Sequence, residues 1–179
     1  MNLEINNENI ENSFDRIAQD LLKNYALLVN NTEFRFTKIE FYYYSEKYHP
    51  DEYTHEHDRK GGEWRFHNQG LDLTFQSDKE TDGGILIRGI SGDNKYVNGP
   101  RRILTEIFKA FGSACNSTTL ILKATPQRDI DIYKTFRHLP NKNIVEEYHK
   151  KPYRYFTDID KWSIPKSEKD LIQQNMRKL

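Results

Sequence analysis

The chain carries one cysteine in 179 residues, Cys115. A lone thiol closes no internal disulfide, which excludes the stapled secreted scaffolds and fits a reducing compartment. Net charge is also missing: 27 Lys and Arg balance 27 Asp and Glu. No global field then draws the protein to nucleic acid or to a membrane surface, so DNA binding would need a local patch. No apolar run approaches the length of a membrane span. The polar, acidic N-terminus lacks a basic-then-apolar signal pattern. These absences read as a cytoplasmic protein with no membrane association. A Ser/His/Asp elbow, a Gly-rich phosphate cradle and a dinucleotide fingerprint are absent too, as are internal repeats and low-complexity linkers.

Aromatic residues are plentiful: 11 Tyr, 10 Phe and 2 Trp. They fill cores, and they also stack on bases and sugars. The length suits one domain with room for a real core. The densest aromatic stretch is Thr37-Lys38-Ile39-Glu40-Phe41-Tyr42-Tyr43-Tyr44. It reads as a strand. Alternation puts Glu40 on one face with Lys38, Tyr42 and Tyr44, and Ile39, Phe41 and Tyr43 on the other. A carboxylate in such surroundings must pair, hydrogen-bond or take up a proton. Glu40 is therefore either a structural carboxylate paired with Lys38 or a distant Arg, or a general base.

In chain order, residues 1–12 are Asn- and Glu-rich and read as frayed. Phe14, Ile17, Leu21, Leu22, Tyr25 and Leu28 recur at helical spacing, with Asn12 or Ser13 as cap. Asn30-Asn31 turns the chain into the aromatic strand. Phe34 and Phe36 lie on the even face and Ile39, Phe41 and Tyr43 on the odd one, so the apolar side switches near Thr37-Lys38, which points to a bulge or to a strand crossing two layers. Residues 45–62 read as a long polar loop with His49, His55 and His57. Leu71, Leu73 and Phe75 alternate as a strand, and Asp82-Gly83 has the chemistry of a hairpin turn. Ile85–Ile90 reads as a central strand with Arg88 embedded in it, and a buried Arg needs an acceptor, for which Glu40 is the candidate. Pro100 suits the first position of a helix carrying Ile103, Leu104, Ile107, Phe108 and Phe111, ended by Gly112. Arg101 and Arg102 in its first turn either dock an anion or are simply solvated. Thr118–Ala124 reads as a strand, Asp129–Leu139 as a short helix, and Ile144-Val145 and Tyr153–Thr157 as late strands. Residues 164–179 read as a charged tail ending in a mobile helix. His55-x-His57, with His49 and His67, fits no common zinc spacing, so neither metal nor other cofactor is expected.

The order of these motifs resembles the 3-methyladenine (alkyladenine) DNA glycosylase family. Ile39-Glu40-Phe41-Tyr42 looks like the family's T-E-A-Y strand. His57-Asp58-Arg59-Lys60-Gly61-Gly62 looks like its H-S-R-G-G with one residue inserted. Ile85-Leu86-Ile87-Arg88-Gly89 looks like V-L-L-R-A, Asn98-Gly99-Pro100 matches N-G-P, and Lys151-Pro152-Tyr153-Arg154-Tyr155-Phe156 followed by Trp162 looks like K-P-x-R-F-Y…W. The resemblance implies a single α+β domain over residues 13–163, with a curved, mostly antiparallel sheet flanked by helices. It implies a monomeric N-glycosylase, a hydrolase that flips a damaged or unusual purine from DNA in base-excision repair. Glu40 would deprotonate the attacking water and Arg88 would hold both. Tyr42, His57, Phe66 and Gly89 would contact the base, and Arg59, Lys60, Gln69, Arg101 and Arg102 the DNA. This chain is shorter than the family between Gly62 and Leu71, lacks the T-P-R-N-R loop, and has Gln69 where the family wedges a tyrosine into the duplex. A binding protein for a nucleobase, nucleoside or damaged DNA, without cutting, is the alternative.

Overall fold

A computed structural model of the chain describes residues 1–93, 95–139 and 146–179. The apolar stripe of the N-terminal segment forms helix α1 (Ile10–Asn24), which buries Phe14, Ile17, Leu21 and Leu22 completely. The helix begins before Asn12 or Ser13. Asn9 caps it, its side chain accepting the Asn12 amide, and Arg16 ties the preceding residues down by donating to the carbonyls of Asn2 (2.9 Å) and Glu4 (2.7 Å). It also stops earlier than the periodicity suggests. Tyr25 and Leu28 belong to strand β1 (Tyr25–Val29), because that segment is paired on both edges, with β2 (Thr32–Ser45) and β8 (Leu120–Ala124).

The long strand β2 is the spine of an antiparallel sheet. On one side it pairs with β6 (Thr81–Gly92), which continues to β5 (Gly70–Thr74) and β4 (Trp64–His67). On the other it pairs with β10 (Arg154–Phe156), which continues to β9 (Tyr133–Thr135) and β11 (Arg177–Lys178). Two short strands, β3 (His49–Pro50) and β7 (Lys95–Asn98), join the ends of β2 and β6. Among the described residues this makes eleven strands in one sheet and three helices, an α+β domain.

The expected switch of faces is real, and it involves two strands. The β2–β6 register skips Thr37 on one strand and Arg88 on the other. Phe34 and Phe36 before the irregularity, and Ile39, Phe41 and Tyr43 after it, therefore all reach the same core. The ring of Phe14 stacks on Phe41 at 4.5 Å. Glu40, Tyr42, Leu86 and Arg88 are left on the other side.

Three local expectations are corrected. Asp82-Gly83 is no turn: Gly83 lies inside β6 opposite Tyr43. A Cβ there would collide with the Tyr42 carbonyl and meet Tyr43 Cα at 2.8 Å, so glycine serves close strand approach. The chain reverses earlier, where the Asp78 carboxylate accepts the amides of Glu80 and Thr81, each at 2.8 Å. The segment read as a helix over Asp129–Leu139 contains strand β9, because β10 offers it a free edge. The C-terminal segment does form a helix, α3 (Lys166–Asn175), but it is docked: Ile172 packs with Phe156, Ile159 and Trp162. Ile144-Val145 lies outside the described residues. Helix α2 (Pro100–Lys109) starts at Pro100 as expected. No helix among the described residues is long and apolar enough to cross a membrane.

Candidate active site

Glu40 stands on the central strand with a guanidinium on either side. Arg154 lies directly opposite it across the β10 pairing, and its Nε donates to Oε1 at 2.6 Å. Arg88, re-aimed by the irregularity in β6, donates Nη1 to Oε2 at 3.0 Å. The Tyr42 hydroxyl donates to the same oxygen at 3.0 Å. Burial pushes the Glu40 carboxyl up, but the two arginine charges and the hydrogen bonds from Arg154 and Tyr42 outweigh it and hold the group below its ordinary value. The carboxylate is thus ionised and both its oxygens are engaged. Its side chain is 1 % exposed.

Beside it opens a cavity of about 310 Å³. Tyr42 and Leu86 lie at its inner wall, with His57, Arg65, His67 and Asp72 around it. Glu40 and Arg88 are not among its lining residues. Tyr42 is the link, with its ring in the cavity wall and its hydroxyl on Glu40. Burial, and then the Glu40 charge, push the Tyr42 phenol far up, so it stays a donor. Behind the ring lies a second buried ion pair. Arg137 Nη1 meets Asp51 Oδ2 at 2.8 Å and donates to the Phe41 carbonyl at 2.9 Å, and its guanidinium carbon lies 4.6 Å from the Tyr42 ring centre.

The remaining expected site residues separate into three groups. His57 reaches the cavity, its Nε2 2.8 Å from the Gly83 carbonyl oxygen. Gln69 lies at the rim, in the turn between β4 and β5. Arg101 joins it there, donating Nε to the Asn68 carbonyl at 3.2 Å, with Arg102 next in the same helix turn.

Phe66 is a correction. Alternation along β4 sends Arg65 and His67 to the cavity and Phe66 to the opposite side, where it stacks on Phe108 at 6.0 Å. Gly89 is another. It does not line the cavity but lies opposite Lys38, and a Cβ there would meet Thr37 Oγ1 at 2.6 Å. Arg59 and Lys60 are exposed on a separate loop, where Arg59 sits 3.9 Å from Glu63.

The histidines divide as well. His49 is a core residue, with Nδ1 2.7 Å from the Tyr43 carbonyl and Nε2 2.9 Å from the Tyr153 hydroxyl, and burial pushes its pKa down. His55 lines the cavity. Among the described residues no cluster of three His, Cys, Asp or Glu is arranged to hold a metal ion.

Sequence reasoning missed Arg154 as the closest partner of Glu40, because strand register is not written in either segment. It missed Arg137 and Asp51 for the same reason. It also missed Asp72, whose Oδ2 lies 3.1 Å from His67 Nε2 and 3.4 Å from Arg65 Nη1. The alternation of Arg65 and His67 just before a strand containing Asp72 could have found that cluster. Compared with known proteins, the chain matches no family model and no curated protein.

Proposed function

We propose that the cavity takes a purine-type base and that Glu40, with Arg88, drives hydrolysis of its N-glycosidic bond, in DNA of the base-excision-repair kind. One observation carries the reading: one oxygen of an ionised carboxylate, Glu40 Oε2, accepts from both the Arg88 guanidinium and the hydroxyl of Tyr42, whose ring walls a base-sized cavity. Water would enter where the Tyr42 hydroxyl now meets Oε2, so that hydrogen bond has to open. Glu40 then takes a proton from the water, the water oxygen bonds to the anomeric carbon, and the bond to the base breaks with its electron pair leaving on the base. The sugar carries positive charge in this step, which a carboxylate stabilises. Aromatic walls and the polar rim suit a base turned out of its stack. The order of motifs that resembles the alkyladenine glycosylases supports the same reading.

A second reading is favoured by a different observation. Both Glu40 oxygens are filled and the side chain is 1 % exposed. That arrangement suits a protein that holds a nucleobase, nucleoside or damaged duplex without cutting. The test is release of free base from alkylated and hypoxanthine-containing duplexes. Release by the wild type that Glu40→Gln abolishes supports hydrolysis, and release that survives Glu40→Gln removes Glu40 from the mechanism. No release, together with thermal stabilisation by free hypoxanthine, leaves the binding protein.

A further inference from the structure

On the Glu40 face of β2 a third cation stands without a counter-ion. Lys38 is 5 % exposed, and its ammonium lies 4.2 Å from the centre of the Trp162 ring. Among the described residues it makes no hydrogen bond and no ion pair. An ammonium carries three donors and is costly to bury without an acceptor. The charges around it are Arg154, Arg88, Glu40 and Glu168. Glu40 is already bonded to both arginines, and Glu168 is exposed on α3. Positive charge is therefore in excess: three cations face two carboxylates, one of them screened by water.

The same neighbourhood holds further buried donors without partners, namely Arg88 Nε, the Thr37 hydroxyl and Trp162 Nε1. Thr37 and Arg88 are the two residues skipped by the β2–β6 register, so the irregularity that aims Arg88 at Glu40 also gathers these donors. Gly89 lets the two strands close up here, because a Cβ there would meet Thr37 Oγ1 at 2.6 Å and Lys38 Cβ at 2.8 Å. The Arg88 side chain is 26 % exposed, which gives the cluster a way out to solvent.

We infer that Lys38 and Arg88 form a phosphate subsite, so that the ligand of this face is a nucleotide unit and not a free base or nucleoside. The inference rests on the reading that the cavity beside Tyr42 takes the base. Tyr42, Glu40 and Lys38 follow one another on one strand face at steps of roughly 7 Å. Base, sugar and phosphate follow one another in the same order. A guanidinium and an ammonium are the side chains suited to a phosphate. Burial, with Arg154 and Arg88 adding to it, lowers the Lys38 pKa to about 8, so the ammonium is still charged at neutral pH.

Two measurements on the full chain test this. In the first, calorimetry compares deoxyinosine, deoxyinosine 5′-monophosphate and a short hypoxanthine-containing duplex, on wild type and on Lys38→Met. The expected result is at least about tenfold weaker binding of a phosphate-bearing ligand to the variant, with deoxyinosine unchanged. A loss confined to the duplex assigns the phosphodiester, and a loss confined to the mononucleotide assigns the free nucleotide. No loss with either overturns the subsite. In the second, the Lys38 ammonium of the wild type is titrated by NMR with and without inorganic phosphate. Phosphate is expected to raise its pKa, and an unmoved titration overturns the subsite. If phosphate raises the pKa while deoxyinosine fails to bind, the subsite stands and the base reading falls. If deoxyinosine binds and phosphate has no effect, the reverse holds.

Discussion

Glu40 is kept charged in a place that disfavours charge, and two arginines are what keep it so. Its folded pKa is lowered below the ordinary 4.5, so the stability it contributes is present above that value and is lost as pH falls through the folded pKa. Glu40→Gln removes the charge and leaves Arg154 and Arg88 without compensation. Unfolding titrations at pH 7 are expected to register a loss of about 3–5 kcal/mol, and the variant's acid-unfolding profile is expected to be flatter. Lys38 works in the opposite direction. Its folded pKa of about 8 lies below the ordinary 10.5, so between those values the unfolded chain holds more protons and stability rises with pH. Lys38→Met is expected to melt higher than wild type at pH 7, by at most roughly 3 kcal/mol. The gap should close as pH rises from 8 to 10.5. A variant less stable than wild type at pH 7 would mean that Lys38 already has an anion.

Between elements, the β2–β6 ladder is the device that makes the site. Its skipped residues, Thr37 and Arg88, move the apolar side of both strands while leaving Glu40 and Arg88 on a common face. Gly89 permits this approach. Gly89→Ala would crowd Thr37 and Lys38, and the overpacking is expected to cost about 1–3 kcal/mol in denaturant unfolding. Base release or base binding should fall with it, since the Arg88–Glu40 contact depends on this register. The Asp51–Arg137 pair ties the loop after β3 to the segment after β9, and both side chains are fully buried. Asp51→Asn strands a buried guanidinium against the Tyr42 ring. Melting curves are expected to show a loss of about 3–5 kcal/mol, larger than for any exposed ion pair such as Arg59–Glu63.

For the molecule as a whole, 27 cations balance 27 anions, so any grip on DNA beyond the subsite inferred at Lys38 and Arg88 has to be local, as at the rim where Arg101 reaches Asn68 beside Gln69. Few phosphates can be neutralised there. The slope of log affinity against log salt is expected to be shallow, about −0.9 per phosphate contacted, and Arg101→Ala should reduce it by about one contact. A steep slope unaffected by Arg101→Ala would place the duplex elsewhere. At this scale the C-terminal segment also changes meaning. Charged and polar as it is, α3 seals Phe156, Ile159 and Trp162 through Ile172, and Trp162 is in turn the platform under Lys38.

How far the chain could be read without coordinates follows the range of the forces involved. Side-chain alternation is a local property of the backbone, so the placing of Glu40 with Tyr42, the switch of faces at Thr37-Lys38, the pairing of Arg88 with Glu40 and the start of α2 at Pro100 were all legible in the sequence. Local chemistry misled where a neighbouring strand outweighed it: Asp82-Gly83 became part of a ladder, Tyr25 and Leu28 left the helix, and Tyr133–Thr135 became an edge strand. Only the tertiary structure decided that Arg154 faces Glu40, that Phe66 turns away from the cavity, and that Tyr42 closes off the carboxylate. Those facts depend on which strands meet and in what register, and that is settled by the burial of the whole core.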